Sequence, residues 1–351
     1  MAVGYDRVAR DVAFTLETKS PAIFENIFLN NACLLLMGSK GRVKIVKGGN
    51  RFDERTHLGQ NSNVDLRDKY AEIPTTMQNN FQTAYYGQAV VDGSTVVNLV
   101  ELDQNAGPEK LDDLAQKLVD ELMDTFPNKV ADAIMQTTSG AADPTSLIEE
   151  LPATVFGSQT QTTGGIARSD YPGIADPTAA WQTNYSNSAA SLDGAAGIAT
   201  VTKFIWECSK GGSALNQQPD LGLVTSGVFA KISGAADVLR RYTSNEKMAD
   251  FGFTNFKILN TTLFADRNVP AKNGLFLNTN YMHMQVLGGP KTKTTRDIKV
   301  IGEGSTKVPI QISEPIRAYN KLEYSILAYL VFNITMGGLR QHGRMDNLTE
   351  A

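Results

Sequence analysis

The chain has 351 residues, of which 42% are hydrophobic and 20% charged, a composition ordinary for a globular protein with a sizeable core. Its 33 basic and 37 acidic residues give a formal net charge of −4, which does not favour a nucleic-acid binder, because phosphate affinity requires clustered Lys and Arg. The two cysteines, Cys33 and Cys208, lie far apart in apolar settings and predict buried free thiols, not a disulfide scaffold or a zinc site.

Targeting and membrane segments are not indicated. Residues 1–19 mix both charge signs with polar residues, which is not typical of a secretory signal. The longest apolar run, 324–336, is interrupted by polar residues, and a membrane-spanning helix needs roughly 18–20 apolar residues. We therefore expect a soluble, intracellular protein with no membrane partner. The length of the chain predicts about two domains.

The first ninety-five residues predict an arm followed by a projecting loop. Residues 1–38 predict an arm ending in a short amphipathic helix, and 38–52 predicts a strand between glycine turns. An Asp92-Gly93 pair between β-branched runs predicts a hairpin turn, so we interpret 39–95 as a long two-stranded loop. Five basic residues occur in 40–51, without an acidic one: Lys40, Arg42, Lys44, Lys47 and Arg51.

The clearest helix in the sequence begins after Gly107-Pro108. Apolar residues recur there at steps of three and four, and Pro127 predicts a kink. About thirty residues at 1.5 Å each give a spine on the order of 45 Å long. The apolar stripe consists of Leu111, Leu114, Leu118, Leu122, Phe126, Val130 and Ile134.

The first half of this helix is acidic. Residues 101–124 hold eight acidic residues against two lysines, and the acidic ones include Asp112, Asp113, Asp120 and Glu121. One interpretation is that the basic segment 40–51 of one subunit lies over this acidic helix of a neighbour, since opposed charges fix register between partners. The alternative, that both are ordinary solvated faces, stays open.

A nearly uncharged segment follows at 152–198, where the only charged residues are Arg168, Asp170, Asp176 and Asp193. It contains the stretch TTGGIARSDY at 162–171. A compact domain rarely tolerates so long a loop unless the loop is functional. The segment favours a structural protein whose extended loops become ordered on assembly, with Arg168 as a candidate contact residue.

The remaining sequence mixes helices and strands. Residues 195–208 and 228–244 predict helices, and most of 255–336 predicts strands, without regular βαβ alternation. This order favours an α+β fold over a doubly wound sheet.

No catalytic, cofactor or metal site is predicted. The sequence has no phosphate-binding glycine loop and no Gly-x-Ser-x-Gly elbow. Its three histidines, His57, His283 and His342, lack the spacing of zinc ligands. The paired acids Asp112 and Asp113 indicate a solvated or partner-facing side of a helix more readily than acid–base chemistry.

Four local patterns, in register along the whole chain, resemble those of tailed-bacteriophage major capsid proteins, the shell subunits of icosahedral heads. The arm, projecting loop and long helix also follow in the order expected of that family. The patterns are TTGGIARSDY at 162–171, PDLGLVTSGVF at 219–229, FLNTNYMHMQV at 276–286 and NITMGGLRQHGRMDNLT at 333–349.

The resemblance implies an α+β capsid fold with an N-terminal arm at 1–38 and an extended loop at 39–95. It further implies a peripheral domain with the spine helix at 96–194 and a mainly axial domain at 195–351. Subunits would form hexamers and pentamers of an icosahedral shell that encloses double-stranded DNA without sequence-specific binding. The shell would be assembled in the host cytoplasm, with separate scaffolding, portal and decoration proteins as candidate partners.

Three other functions are weighed against this one. A cellular nanocompartment shell, encapsulin-like, has the same fold and encloses protein cargo. A metal-independent hydrolase is disfavoured because no nucleophile–base frame occurs. A tail or surface structural protein predicts rings or tubes instead of closed shells.

Overall fold

The computed structural model confirms an α+β fold, with helices and several separate sheets. The chain divides into two compact units. One comprises Met1–Asn50, Gly87–Glu150 and His283–Ile334, and the other comprises Arg51–Tyr86, Leu151–Met282 and Thr335–Ala351. The structure describes residues 31–57, 63–77, 81–98, 100, 114–135, 162–167, 181, 183–186, 192, 194–209, 217–239, 255–288, 297–299, 305–307, 311–312, 316–317 and 323–349.

The described helices are α1 Ala32–Ser39, α2 Leu114–Met135, α3 Gly194–Glu207 and α4 Ser226–Leu239, with a 3-10 turn at Thr279–Tyr281. The described strands are β1 Val43–Val46, β2 Phe52–His57, β3 Phe81–Tyr86, β4 Ala89–Asn98, β5 Thr162–Thr163, β6 Ile166–Ala167, β7 Asn184–Ser186, β8 Leu221–Val224, β9 Asn255–Ile258, β10 Thr261–Ala265, β11 Gly274–Leu277, β12 Met282–Leu287, β13 Asp297–Lys299, β14 Ser305–Lys307, β15 Gln311–Ile312, β16 Ile316–Arg317, β17 Glu323–Met336 and β18 Gly343–Met345.

The first unit is built on a six-stranded sheet with β17 at its centre. The order β1-β12-β17-β15 is completed by β4 and β16, which also pair with β17. The predicted hairpin turn at Asp92-Gly93 is wrong, because these residues lie inside β4, opposite Tyr329 and Ala328 of β17. Ten consecutive cross-strand pairs along β4 outweigh the local turn preference of an Asp-Gly pair.

The predicted apolar stripe of the long helix is confirmed over its described side chains. Phe126, Val130 and Ile134 of α2 are all buried, and α2 packs against β4. The helix continues through position 127, the predicted kink. None of the helices in the described ranges is both long enough and apolar enough to span a membrane.

The end of the predicted arm is a buried helix. Six of the eight residues of α1 are buried, so its described portion is not amphipathic as the sequence predicted. The Asn31 side chain caps the helix, since its Oδ1 accepts a hydrogen bond of 2.9 Å from the backbone N–H of Cys33. Residues 1–30 of the predicted arm lie outside the described residues, and the domain ranges stay a prediction.

The second unit contains another six-stranded sheet, with the order β7-β18-β11-β8-β10-β9. Its core packs the sheet against α3 and α4, and includes an edge-to-face contact between Phe204 and Phe276, whose ring centroids are 5.4 Å apart. The strand β18 lies inside the sheet, parallel to β7 and antiparallel to β11. The chain's last described strand therefore completes this sheet from within.

Three of the four capsid-like patterns meet in this sheet. The Asp220 carboxylate, just before β8, accepts hydrogen bonds from the backbone N–H and the hydroxyl of Thr279, at 2.9 and 2.6 Å. The neighbouring Asn278 donates its backbone N–H to Nδ1 of His342, at 3.2 Å. Burial lowers the pKa of His342 to about 4, and the charge of Asp220 opposes that shift in part.

Candidate assembly surface

The second unit contains a two-stranded antiparallel ribbon, formed by β2 and β3. On one face of the ribbon Phe52, Ala84 and Tyr86 are buried. On the other face Phe81 and Tyr85 are 60% and 43% exposed. The ribbon and the residues between its strands lie within the predicted loop, 39–95, whereas β1 and β4, near the two ends of that range, pair in the sheet of the first unit.

Both strands of the ribbon are fixed at their root to the end of β17. The hydroxyl of Tyr86 donates to the carbonyl of Met336 at 3.0 Å and accepts from its N–H at 3.2 Å. The Thr335 hydroxyl donates to Glu54 on the other strand, at 3.1 Å. Because β2 and β3 are each hydrogen-bonded to the end of β17, the ribbon is held at two points.

The Gly-Gly pattern forms a second brace for the ribbon. Gly164 and Gly165 have φ of 57° and 71° and form the turn between β5 and β6, a conformation that favours glycine. The carbonyl of Gly164 accepts a hydrogen bond of 2.8 Å from the backbone N–H of Tyr85. A Cβ atom at Gly164 would lie only 2.7 Å from that of Ala84, so the close approach requires glycine.

Trp181 supports this turn from within the low-charge segment. Its side chain is fully buried, and its Nε1 donates to the carbonyl of Thr163 at 3.2 Å. This role was not predicted from the sequence, because Trp181 is eighteen residues from its partner. Most of the remaining low-charge segment, including Arg168, lies outside the described residues.

Several residues between the strands of the ribbon expose large apolar side chains to solvent. We call 63–77 the tip loop. Five such side chains in one short segment make it a candidate interaction site. The exposed fractions are 80% for Val64, 99% for Leu66, 81% for Tyr70, 77% for Ile73 and 97% for Met77.

The predicted basic contact residues occupy two places. Lys40, Arg42, Lys44 and Lys47 lie in and beside β1 of the first unit, and all except the half-buried Arg42 are exposed. Arg51 lies at the start of the ribbon in the second unit, where its guanidinium is 3.8 Å from the centre of the Tyr85 ring and 3.3 Å from Asp53. Arg51 thus already has partners within its own chain.

The predicted acidic contact residues are described only in part. Asp120 and Glu121 lie on α2, and the side chain of Glu121 is exposed. Asp112 and Asp113 lie outside the described residues. Their pairing with the basic segment therefore remains a prediction.

The described residues include side chains of metal-ligating types and two thiols. Among them, no group of three or more His, Cys, Asp or Glu side chains is placed to hold a metal ion. Cys33 and Cys208 are free and buried, as predicted. Burial raises the pKa of the Cys208 thiol, so this side chain stays protonated and unreactive at neutral pH.

No family profile and no curated protein matches the sequence of this chain. The cyanophage A-1(L) capsid protein matches with a TM-score of 0.61 at 14% identity, over 88% of this chain and 90% of that one.

Two further structures match less closely. The SrpI encapsulin of Synechococcus elongatus PCC 7942 matches with a TM-score of 0.52 at 9% identity, over 92% of this chain and 89% of that one. The capsid of an empty GTA particle matches with a TM-score of 0.50 at 10% identity, over 89% of this chain and 96% of that one. The resemblance found in the sequence is thus confirmed at the level of the fold: this chain has the fold of the tailed-phage major capsid proteins, which encapsulins share.

Proposed function

We propose that the chain is a structural shell protein that assembles with copies of itself into hexamers and pentamers of an icosahedral phage head. The observation that carries this proposal is the tip loop, whose five large apolar side chains are at least 77% exposed on a ribbon braced at its root. Surface of this kind is stabilised when a partner covers it. The capsid fold makes a second copy of the chain the natural partner.

A receiving surface of matching character exists in the first unit. Val96 of β4 is opposite Ser325 of β17, which is in turn opposite Ile316 of β16, so the three residues form one row across the sheet. Val96 and Ile316 are 48% and 50% exposed, and Val90, on the same face of β4, is 52% exposed. We propose that the tip loop of one copy covers this face on a neighbour. Such head-to-tail contacts close into rings when the rotation between subunits permits it.

Charge pairing is the second part of the proposal. Lys44 is exposed on the edge strand β1, Lys47 is exposed just after it, and Glu121 is exposed on α2. Opposed charges of this kind steer association and set register more than they add affinity. We propose that the basic segment meets the acidic helix, including Asp112 and Asp113, across a subunit boundary.

The proposal extends to contents and location. The shell would enclose double-stranded DNA in the virion after assembly in the host cytoplasm, with scaffolding, portal and decoration proteins as partners and no catalytic role of its own. The encapsulin match supports the alternative of a cellular nanocompartment with protein cargo. Nuclease-protected DNA in particles from the native source would favour the phage head, and a single co-purifying enzyme would favour the nanocompartment.

The test is negative-stain electron microscopy of the full chain, expressed alone and then together with its neighbouring genes. Closed shells or capsomer rings are the expected result. The variant Leu66→Asp should stop particle formation, because a carboxylate would have to be buried in an apolar contact. Particles of normal yield from that variant would contradict the role of the tip loop. A chain that stays monomeric under both conditions would contradict the shell proposal.

A further inference from the structure

The tip loop has an internal framework made by two polar side chains. Asn63 Nδ2 donates to the carbonyl of Thr76 at 2.7 Å, which joins the two ends of the loop. The guanidinium of Arg67 donates from Nη1 to the carbonyl of Glu72 and from Nη2 to the carbonyl of Asn63, both at 3.3 Å. Arg67 thus connects two backbone positions nine residues apart.

The burial pattern of the tip loop is the reverse of that in a folded core. The structure describes 63–77 completely, and within this range only Asn63 and Arg67 are partly buried, while every other residue is exposed. Ordinary folding places apolar side chains inside and charged ones outside. Here the charged side chain of Arg67 is half-buried, whereas Leu66, beside it in the chain, is 99% exposed.

We infer that Arg67 holds the tip loop in its docking shape before a second copy of the chain arrives. Arg67 is then a positioning residue for assembly, a role that rests on the proposed function and differs from the prediction that the loops become ordered only on assembly. A loop ordered beforehand loses less conformational entropy when it docks. Arginine suits this task because its planar fork of donors reaches two carbonyls at once, which a lysine ammonium does not reproduce.

The experiment compares four full-length chains in their unassembled fraction: wild type, Arg67→Ala, Arg67→Lys and the control Arg55→Ala. Arg55 is an exposed arginine on β2 of the same ribbon, so its removal changes the charge equally and leaves the loop framework intact. Hydrogen–deuterium exchange followed by peptide mass spectrometry reports the order of 63–77. Light scattering reports the rate of assembly after concentration.

We expect the amides of 68–77 to exchange about tenfold faster in Arg67→Ala than in wild type, from the loss of two charge-assisted hydrogen bonds. Arg67→Lys should resemble Arg67→Ala, and Arg55→Ala should resemble wild type. Assembly of Arg67→Ala should be slower by a similar factor. Protection elsewhere in the second unit should not change, which separates loop order from global stability.

Two results would overturn the inference. In the first, the amides of 63–77 exchange hydrogen as fast in the wild type as in Arg67→Ala. This result would mean that the loop becomes ordered only in the shell. In the second, an Arg67→Ala chain loses protection and yet assembles at the wild-type rate. If no chain assembles, including wild type expressed with its neighbouring genes, the proposed function fails, while the exchange data still decide whether Arg67 orders the loop.

Discussion

The hydroxyl of Thr279 donates a hydrogen bond of 2.6 Å to the carboxylate of Asp220, fifty-nine residues earlier in the chain. Asp220 also accepts the backbone N–H of Thr279, so one nearly buried carboxylate fixes the turn that begins the 3-10 segment. Hydrogen bonds to an ionised carboxylate are stronger than neutral ones. This contact connects the PDLG and LNTNY patterns physically within one sheet.

The substitution Thr279→Val should lower the free energy of unfolding by about 1–2 kcal/mol, because Asp220 loses one of its donors while the side-chain volume is kept. Thr279→Ser retains the hydroxyl and should cost less. Urea unfolding of the unassembled chain, followed by circular dichroism, measures both. Equal stability of the Val variant and wild type would show that the hydroxyl contributes nothing to this sheet.

Stability should depend on pH through His342. Its folded-state pKa is lowered from 6.5 to about 4, so between these values the unfolded chain binds a proton that the folded chain does not. The stabilisation is present above pH 6.5 and is lost as the pH falls toward 4, by on the order of 3 kcal/mol. We expect His342→Gln to be less stable at pH 7 and to lose less stability on acidification. Parallel pH profiles for the two chains would contradict this assignment.

The two glycines of the β5–β6 turn should respond differently to alanine. Gly165→Ala should cost about 1 kcal/mol, because the residue has positive φ but its Cβ would be 3.9 Å from the nearest atom. Gly164→Ala should cost about 1–3 kcal/mol more, from overlap with Ala84 at 2.7 Å. Limited proteolysis should cut the ribbon faster in the Gly164 variant alone. Indistinguishable variants would mean that the turn does not brace the ribbon.

Charge reversal tests the pairing of the basic and acidic segments. The double variant Lys44→Glu and Lys47→Glu should leave the unassembled chain folded, since both side chains are exposed, and should impair shell formation several-fold at low salt. Adding Glu121→Lys should restore part of the yield if the two surfaces meet. Electron microscopy and sedimentation measure the yield. Normal shells from the double variant would disprove the pairing.

Features of the fold that depend on residues close together in the sequence were predictable. The stripe through Phe126, Val130 and Ile134 was predictable because a helix repeats every 3.6 residues, and its side chains are buried as expected. The place of Asp92 and Gly93 inside β4 was not predictable. Their strand forms ten residue pairs with β17, and the paired residues are more than 200 positions apart in the sequence. The pairing of distant strands overrides the local turn preference of an Asp-Gly pair, because the turn preference contributes less to stability than the ten cross-strand pairs.

The sequence predicted which segment carries the candidate assembly surface, but not which of its side chains are exposed. The order of arm, loop and helix indicated where a projecting ribbon would lie. The exposure of Leu66 and Met77 could not be predicted, because whether an apolar side chain is covered depends on the tertiary structure and not on its sequence neighbours. The contact of Trp181 with Thr163 likewise depends on tertiary packing that has no sequence period.

The position of β18 has a consequence for the order of events during synthesis. This strand fills the space between β7 and β11, so the sheet of the second unit stays incomplete until residues 343–345 have left the ribosome. A chain without these residues lacks the strand that lies between β7 and β11. Because the other described strands of this sheet all precede β18 in the sequence, the sheet can close only after every one of them has been synthesised.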